Sequence, residues 1–222
     1  MVKSYGSSSE PGLRRSAVDI LADILSACRR GEKITRIMLR AGLNYPQARK
    51  YLSAMLDAGL LSTEPNSQNS VYETTSSGLR FLFHYAKMVR LLSGEDAGSL
   101  EVVEEMPEVQ VEAISLVRRD DEPSLVPNQR SPYDLIACLL INAIDGSTLG
   151  DLGRRCMMNH FQVRKYTGHL LELGLVAKSG FNVKGRPVLV TTDKGLDYLA
   201  SYAQLYIVSR IIHEGATSSP QC

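Results

Sequence analysis

The chain of 222 residues is long enough for two domains of ordinary size, and its composition, 44% hydrophobic and 22% charged with no Trp, is typical of a soluble, mainly helical protein. It contains no apolar run close to the roughly 20 residues that a membrane-spanning helix needs, and no apolar stretch near its start that is long enough for a signal peptide. We therefore expect a cytoplasmic protein with no membrane partner.

The net charge of +1 is the sum of three unlike segments. Residues 14–93 carry 12 Lys and Arg against 6 Asp and Glu, residues 94–130 carry 3 against 10, and residues 131–214 carry 9 against 7. Two basic segments are thus separated by an acidic one. This distribution favours a polyanionic partner more than the net charge does.

Cysteine and histidine do not follow a pattern typical of a metal site. The cysteines lack a C-x-x-C spacing, and the histidines do not cluster with them in the sequence. We expect buried, reduced thiols, no metal and no cofactor. The residues concerned are Cys28, Cys138, Cys156, Cys222, His84, His160, His169 and His213.

The first 93 residues predict three helices, a hairpin and a long fourth helix. Residues 1–13 are rich in Ser, Gly and Pro, which predicts a disordered N-terminus. Apolar residues then recur at helical spacing from Ile20 to Cys28, and Gly31 ends this first helix. A short second helix is expected over residues 35–41.

The third helix has the clearest boundaries. Asn44 is an N-cap with Gln47 three residues later, which is the pattern of a capping box, and Gly59 is placed for a left-handed C-terminal cap. Tyr51 belongs to the apolar stripe of this helix and is expected to be buried. The side chains predicted to face solvent are Tyr45, Gln47, Arg49, Lys50 and Ser53.

A hairpin and a long helix follow the third helix. Residues 60–63 and 71–74 are expected to form its strands, joined by a tip without Lys or Arg. Thr75 is a suitable cap for a helix that runs to about residue 93. The apolar side chains of that helix exceed what one small core covers, so we expect it to pack against another element.

The same pattern occurs a second time. Residues 18–61 align with residues 133–176 without gaps, with 13 identities in 44 positions. The second copy predicts helices over 132–145, 149–156 and 160–173, hairpin strands over 175–178 and 188–191, and a tail helix over 193 to about 213. Its hairpin tip is two residues longer than the first and carries Lys184 and Arg186.

Helix, helix, helix, hairpin and helix is the order of a winged helix-turn-helix with a tail helix. The fold class expected is therefore mainly α with small β wings, as two tandem winged helix-turn-helix domains over 14–93 and 131–214, each followed by a long tail helix. Residues 94–130 are interpreted as an acidic, solvated linker, with a short strand over 108–117 as the alternative, and 215–222 as a disordered C-terminus.

The first copy resembles an archaeal winged-helix family that includes archaellum regulators and small crenarchaeal chromatin proteins with an antiparallel coiled-coil tail. The resemblance implies DNA binding through the third helix and pairing through the tail helix. The second copy departs from it with His160, Phe161 and Thr167. The residues that carry the resemblance are Ile20, Ile24, Gly31, Thr35, Leu43, Asn44, Tyr45, Gln47, Lys50, Tyr51, Leu52, Gly59, Leu60, Leu61, Tyr72, Thr74 and Gly78.

Side chains suited to duplex DNA recur in both copies. Arg reads guanine and Gln reads adenine through paired hydrogen bonds, and cations on the preceding helix and the wing suit phosphates. Alternatively, Arg and Lys form an ordinary solvated face and Gln47 and Gln162 only complete the caps. The predicted DNA-binding residues are Arg36, Arg40, Tyr45, Gln47, Arg49, Lys50, Ser53, Arg154, Arg155, His160, Gln162, Arg164, Lys165, Lys184 and Arg186.

Two classes of function remain open at this point. The first is a DNA-binding transcriptional regulator or nucleoid protein, because a 37-residue tether reaches roughly 35 Å, close to the spacing of half-sites one helical turn apart. Its tail helices would pair within one chain or in a homodimer. The second is a protein-interaction scaffold, with DNA binding absent or confined to the first copy, whose charge is the stronger. No catalytic motif occurs, so an enzyme is not expected.

Overall fold

The computed structural model describes residues 15–63, 70–94 and 131–217. The expected disordered N-terminus, the first hairpin tip and residues 218–222 lie outside the described residues. The same is true of nearly all of the acidic linker, including the alternative strand over 108–117.

The first segment, residues 15–94, folds in the predicted order with one additional strand. A two-residue strand was not predicted because it is too short to show alternation, and it pairs with the second hairpin strand at Tyr72 and Val71. The sheet is antiparallel, in the order β1-β3-β2. Its elements are α1 (Ala17–Ala27) with a 3₁₀ turn (Cys28–Arg30), β1 (Glu32–Lys33), α2 (Ile34–Ala41), α3 (Tyr45–Asp57), β2 (Leu61–Thr63), β3 (Val71–Thr74) and α4 (Ser76–Ser93).

The second segment, residues 131–217, repeats this order of elements and its antiparallel sheet order, here β4-β6-β5. Its hairpin is longer than predicted, and its last helix continues to Thr217 instead of about residue 213. The elements are α5 (Pro132–Ala143), β4 (Ser147–Thr148), α6 (Leu149–Arg155), α7 (His160–Glu172), β5 (Val176–Phe181), β6 (Pro187–Thr191) and α8 (Asp193–Thr217).

The predicted caps of the third helices are confirmed. Asn44 Oδ1 accepts a hydrogen bond from Gln47 N at 2.9 Å, and Asn159 Oδ1 accepts one from Gln162 N at 2.8 Å. Each Gln in turn accepts from the backbone N–H of its Asn, which completes the capping box. Gly59 takes the predicted left-handed conformation, with a φ of 66°.

A hydrogen bond between side chains, buried in the first segment and partly buried in the second, ties the first helix of each segment to its tail helix. Tyr85 Oη donates to Asp19 at 2.8 Å, and Tyr202 Oη donates to Asp134 at 2.6 Å. Both aspartates also cap their own helices. No local sequence pattern indicates these bonds, because each tyrosine lies more than 60 residues from its aspartate.

Each tail helix begins against the carbonyl oxygen of the residue that precedes the hairpin strand. A Cβ added to Gly78 would overlap Leu60 O, and one added to Gly195 would overlap Leu175 O. Glycine is therefore required at both positions by close approach, not by a positive φ. This contact fixes the tail helix to the hairpin in both segments.

The described residues divide into two compact units that do not coincide with the two segments. The inner unit comprises the described residues from Lys87 to Ala203, and the outer unit comprises those up to Ala86 and those from Gln204 onward. In the inner unit, Lys87 Nζ of α4 lies 2.8 Å from Asp197 Oδ1 of α8. This ion pair joins α4 to an element outside its own segment.

The expectation of reduced thiols is wrong for two of the cysteines. Cys138 of α5 and Cys156, which follows α6, form a disulfide, whereas Cys28 is free and buried. Cys138 and Cys156 align with Asp23 and Ala41 of the first segment. There, Asp23 forms an ion pair with Arg15, with a nitrogen–oxygen distance of 3.3 Å.

Candidate nucleic-acid interface

The outward face of α3 is polar and exposed, as predicted. The opposite face buries Ala48, Leu52 and Met55, so α3 is fixed by its apolar side. Five side chains project from the exposed face: Tyr45, Gln47, Arg49, Lys50 and Ser53. A helix that is held in this way can present its outer face to the major groove of a duplex.

Two of these side chains are near one another. The guanidinium carbon of Arg49 lies 6.0 Å from the centre of the Tyr45 ring, one helical turn earlier. A cation–π contact at this distance orients Arg49 toward the N-terminal end of α3 without neutralising its charge. Among the described residues, no carboxylate forms a salt bridge with Arg49 or Lys50.

The two glutamines are partly committed to the helix caps. Gln47 Oε1 accepts from Asn44 N at 3.3 Å, and Gln162 Oε1 accepts from Asn159 N at the same distance. Paired bonding to adenine uses both the oxygen and the nitrogen of a glutamine amide. With the oxygen engaged in the cap, each glutamine offers mainly its Nε2 donors to a partner.

The cations of α2 and α6 have different surroundings. Arg36 lies 3.8 Å from Glu32 Oε2 and Arg40 is exposed, whereas Arg154 lies 2.7 Å from Asp151 Oδ1. A hydrogen bond from Thr148, and then the charge of Arg154, lower the pKa of Asp151. Asp151 therefore stays ionised and offsets Arg154, and to a smaller extent Arg155.

The face of α7 carries the remaining predicted residues and one apolar side chain that the prediction did not include. His160, Gln162, Arg164 and Lys165 are all exposed. Phe161 is 87% exposed at the first turn of the helix. Just before α7, Met157 is 80% exposed and has a φ of 49°, where the first segment has Gly42 with a φ of 60°.

The hairpin of the second segment ends in an ordered, cationic tip. Asn182 Oδ1 accepts from Lys184 N at 3.0 Å and from Arg186 N at 2.9 Å. Gly185 N donates to Asn182 O at 2.8 Å, which closes a β-turn, and Gly185 has a φ of 67°. Lys184 and Arg186 are both exposed.

Two exposed apolar side chains at this tip were not predicted as part of the site. Phe181 is 76% exposed and Val183 is fully exposed. The sequence could have indicated them, because turns are usually polar, whereas this hairpin has large apolar residues, three cations and no acidic residue. The tip therefore combines positive charge with apolar surface.

The first segment has the higher net charge, but its second and third helices and its hairpin are less cationic than those of the second segment. Residues 34–57, which span α2 and α3, carry four cations and one acid, and the first hairpin over 61–74 carries two acids. Residues 149–172, which span α6 and α7, carry four cations and two acids, and the hairpin over 176–191 carries three cations. The second segment is thus the more cationic in these elements, because many cations of the first segment lie before α1, in the 3₁₀ turn after it and on α4.

Several tyrosines of the third helices and of α8 lie partly or wholly in the interior. Tyr51 and Tyr166 are half-buried, and burial raises the pKa of both phenols. Tyr198 and Tyr202 are buried, while Tyr206 is half-buried. Tyr45, by contrast, is 51% exposed.

The described part of the chain shows neither a metal-binding cluster nor a membrane-spanning helix. Over residues 15–63, 70–94 and 131–217, no three His, Cys, Asp or Glu side chains gather where they could hold a metal ion. None of the helices described here combines the length and apolar character needed to cross a membrane.

Comparison with known proteins gives two matches. The sequence model of a family described as winged helix-turn-helix matches residues 14–93. The crystal structure of Sso10a-2, a DNA-binding protein from Sulfolobus solfataricus, is similar at 30% sequence identity, covering 36% of this chain and 83% of that chain with a TM-score of 0.34. No curated protein matches the sequence. Residues 14–93 are thus similar in sequence to winged helix-turn-helix proteins.

Proposed function

We propose that the chain binds duplex DNA with two winged helix-turn-helix modules, one in each segment, and acts as a transcriptional regulator or nucleoid protein. The observation that carries the proposal is the outward face of α3, where Arg49 and Lys50 are exposed with no salt bridge among the described residues and Arg49 lies near the Tyr45 ring. Arg164 and Lys165 occupy the corresponding positions on α7. Cations at these positions suit phosphates and guanine edges.

The second module is supported by element order and by repeated contacts. The antiparallel sheet order, the capped third helix and the tyrosine–aspartate bond to the tail helix recur in both segments. The ion pair of Lys87 with Asp197 supports pairing of the tail helices within one chain, so that one polypeptide supplies two readers.

A salt titration of DNA binding tests the proposal. Fluorescence anisotropy of a labelled duplex, measured with the full chain over a range of salt concentrations, should give a log–log slope of about −4 to −5 if four to six phosphates are engaged. The variants Arg49→Gln/Lys50→Gln and Arg164→Gln/Lys165→Gln should each reduce that slope by about 2.

The matched control removes two cations from the tail helices. Arg80→Gln/Lys194→Gln changes the net charge by the same amount without altering α3 or α7, so its slope should equal that of the wild type. Absence of binding at low salt, or equal losses in the control and the site variants, would refute DNA binding through the third helices.

A second candidate function is a protein-interaction scaffold in the second segment, favoured by the exposure of Phe161 and Met157. The same titration separates the two. If only the first segment binds DNA, Arg49→Gln/Lys50→Gln abolishes binding, whereas Arg164→Gln/Lys165→Gln leaves both affinity and slope unchanged.

A further inference from the structure

The tip of the second hairpin presents two exposed apolar side chains, Phe181 and Val183, together with cations that form no salt bridge among the described residues. Val183 stands at the second position of the β-turn that starts at Asn182, and Phe181 ends the strand that leads into it. Phe181 and Val183 are two residues apart, one at the end of the strand and one in the turn that follows it, so both lie at the tip of the hairpin. Neither side chain is covered by the described part of the protein.

The surrounding charge identifies the kind of surface that this tip fits. The hairpin over 176–191 contains Lys178, Lys184 and Arg186 and no acidic residue. Within the described residues, no carboxylate forms a salt bridge with any of these three cations. DNA is complementary to such a tip. Its phosphates would face the cations, and its stacked bases would face the apolar side chains.

The tip is also ordered before it meets a partner. Asn182 accepts two backbone hydrogen bonds through its side chain, and its N–H donates to Arg186 O at 2.8 Å. Gly185 supplies the positive φ that the turn needs. A preformed tip loses little conformational entropy on insertion, so its apolar contacts contribute more of their free energy to binding.

We propose that this hairpin enters the DNA minor groove and inserts Phe181 and Val183 between base pairs, which unstacks one step and bends the duplex. The inference rests on the proposed DNA-binding function and adds a deformation that the third helices do not require. Minor-groove proteins kink DNA with apolar wedges of this kind, flanked by Lys or Arg on the phosphates. The first hairpin has no comparable tip in its sequence, where residues 64–70 contain no Lys, Arg or large apolar side chain.

The test measures binding and bending separately on the full chain. A duplex of about three helical turns carries fluorophores at its ends for energy transfer, and 2-aminopurine at a central step reports unstacking. Anisotropy first establishes saturation. At saturation, the wild type should raise both energy transfer and 2-aminopurine fluorescence.

Two double variants assign the effect to the apolar pair. Phe181→Ser/Val183→Ser should bind within about tenfold of the wild-type affinity, since unstacking and wedge contacts largely offset one another, but lose both bending signals. Lys184→Gln/Arg186→Gln should flatten the salt slope by about 2 and keep both signals at saturation. All four side chains are exposed, so circular dichroism and thermal unfolding should match the wild type.

Several outcomes would overturn the inference. Binding without any change in energy transfer or 2-aminopurine fluorescence excludes insertion while leaving the proposed function intact, and no binding at all refutes the proposed function first. If Phe181→Ser/Val183→Ser bends the DNA as much as the wild type does, another part of the protein causes the bend and the inference is wrong. Sedimentation of the wild type, but not of this variant, with phosphatidylglycerol vesicles would assign the tip to a lipid surface.

Discussion

Reducing the disulfide should destabilise the second segment and leave the first segment unchanged. Cys138 and Cys156 are separated by 18 residues along the chain. Closing a loop of this length removes conformational entropy from the unfolded chain worth about 3 kcal/mol. Because urea m-values of small domains are about 1–3 kcal/mol per molar, reduction should lower the unfolding midpoint by roughly 1–3 M.

Urea unfolding followed by circular dichroism, with and without reductant, measures this shift. Hydrogen exchange should locate it, with faster exchange in α5 and α6 and unchanged exchange in α1 to α3. The variant Cys138→Ser/Cys156→Ser should be insensitive to reductant, whereas Cys28→Ala should keep the wild-type response. Alkylation of Cys138 and Cys156 in unreduced, unfolded protein, or equal midpoints in both conditions, would show the reasoning to be wrong.

Two further predictions concern packing and ionisation. Gly78→Ala and Gly195→Ala should each cost about 1–3 kcal/mol in thermal unfolding, because the added Cβ overlaps a backbone oxygen. Gly168→Ala is the control, since its Cβ meets nothing within 4 Å and should stabilise α7 by up to about 1 kcal/mol; equal effects at all three would contradict this. Burial raises the pKa of Cys28 from 9.0 to about 12, so the unfolded thiol ionises first and stability should fall from pH 9 to pH 12. Cys28→Ala should remove the part of this decline in stability that comes from the thiol, and a pH profile identical to that of the wild type would contradict the prediction.

Local chemistry explains what could be predicted from the sequence. The capping boxes of α3 and α7 involve residues three positions apart, and the exposed faces of both helices follow from helical periodicity. Boundaries set by such near neighbours agree with the structure to within a few residues. The solvent-facing set that includes Arg49 and Lys50 was found for the same reason.

Features that depend on distant residues were missed. The strand β1 has two residues and exists through its pairing with β3, and the disulfide joins positions that the first segment fills with Asp23 and Ala41. Tyr85 and Asp19 are 66 residues apart, so no periodicity relates them. The exposure of Phe181 and Val183 could be recognised only from the turn at Asn182, because an apolar residue at the end of a strand is otherwise expected to be buried.

The division into an inner and an outer unit has a consequence for synthesis on the ribosome. The inner unit is continuous in sequence, whereas the outer unit joins residues up to Ala86 with residues from Gln204 onward. At 5–20 residues per second, translation from residue 86 to residue 217 takes roughly 7–26 seconds. Residues up to Ala86 therefore wait for several seconds, while the whole inner unit is made, before the rest of their own unit is synthesised.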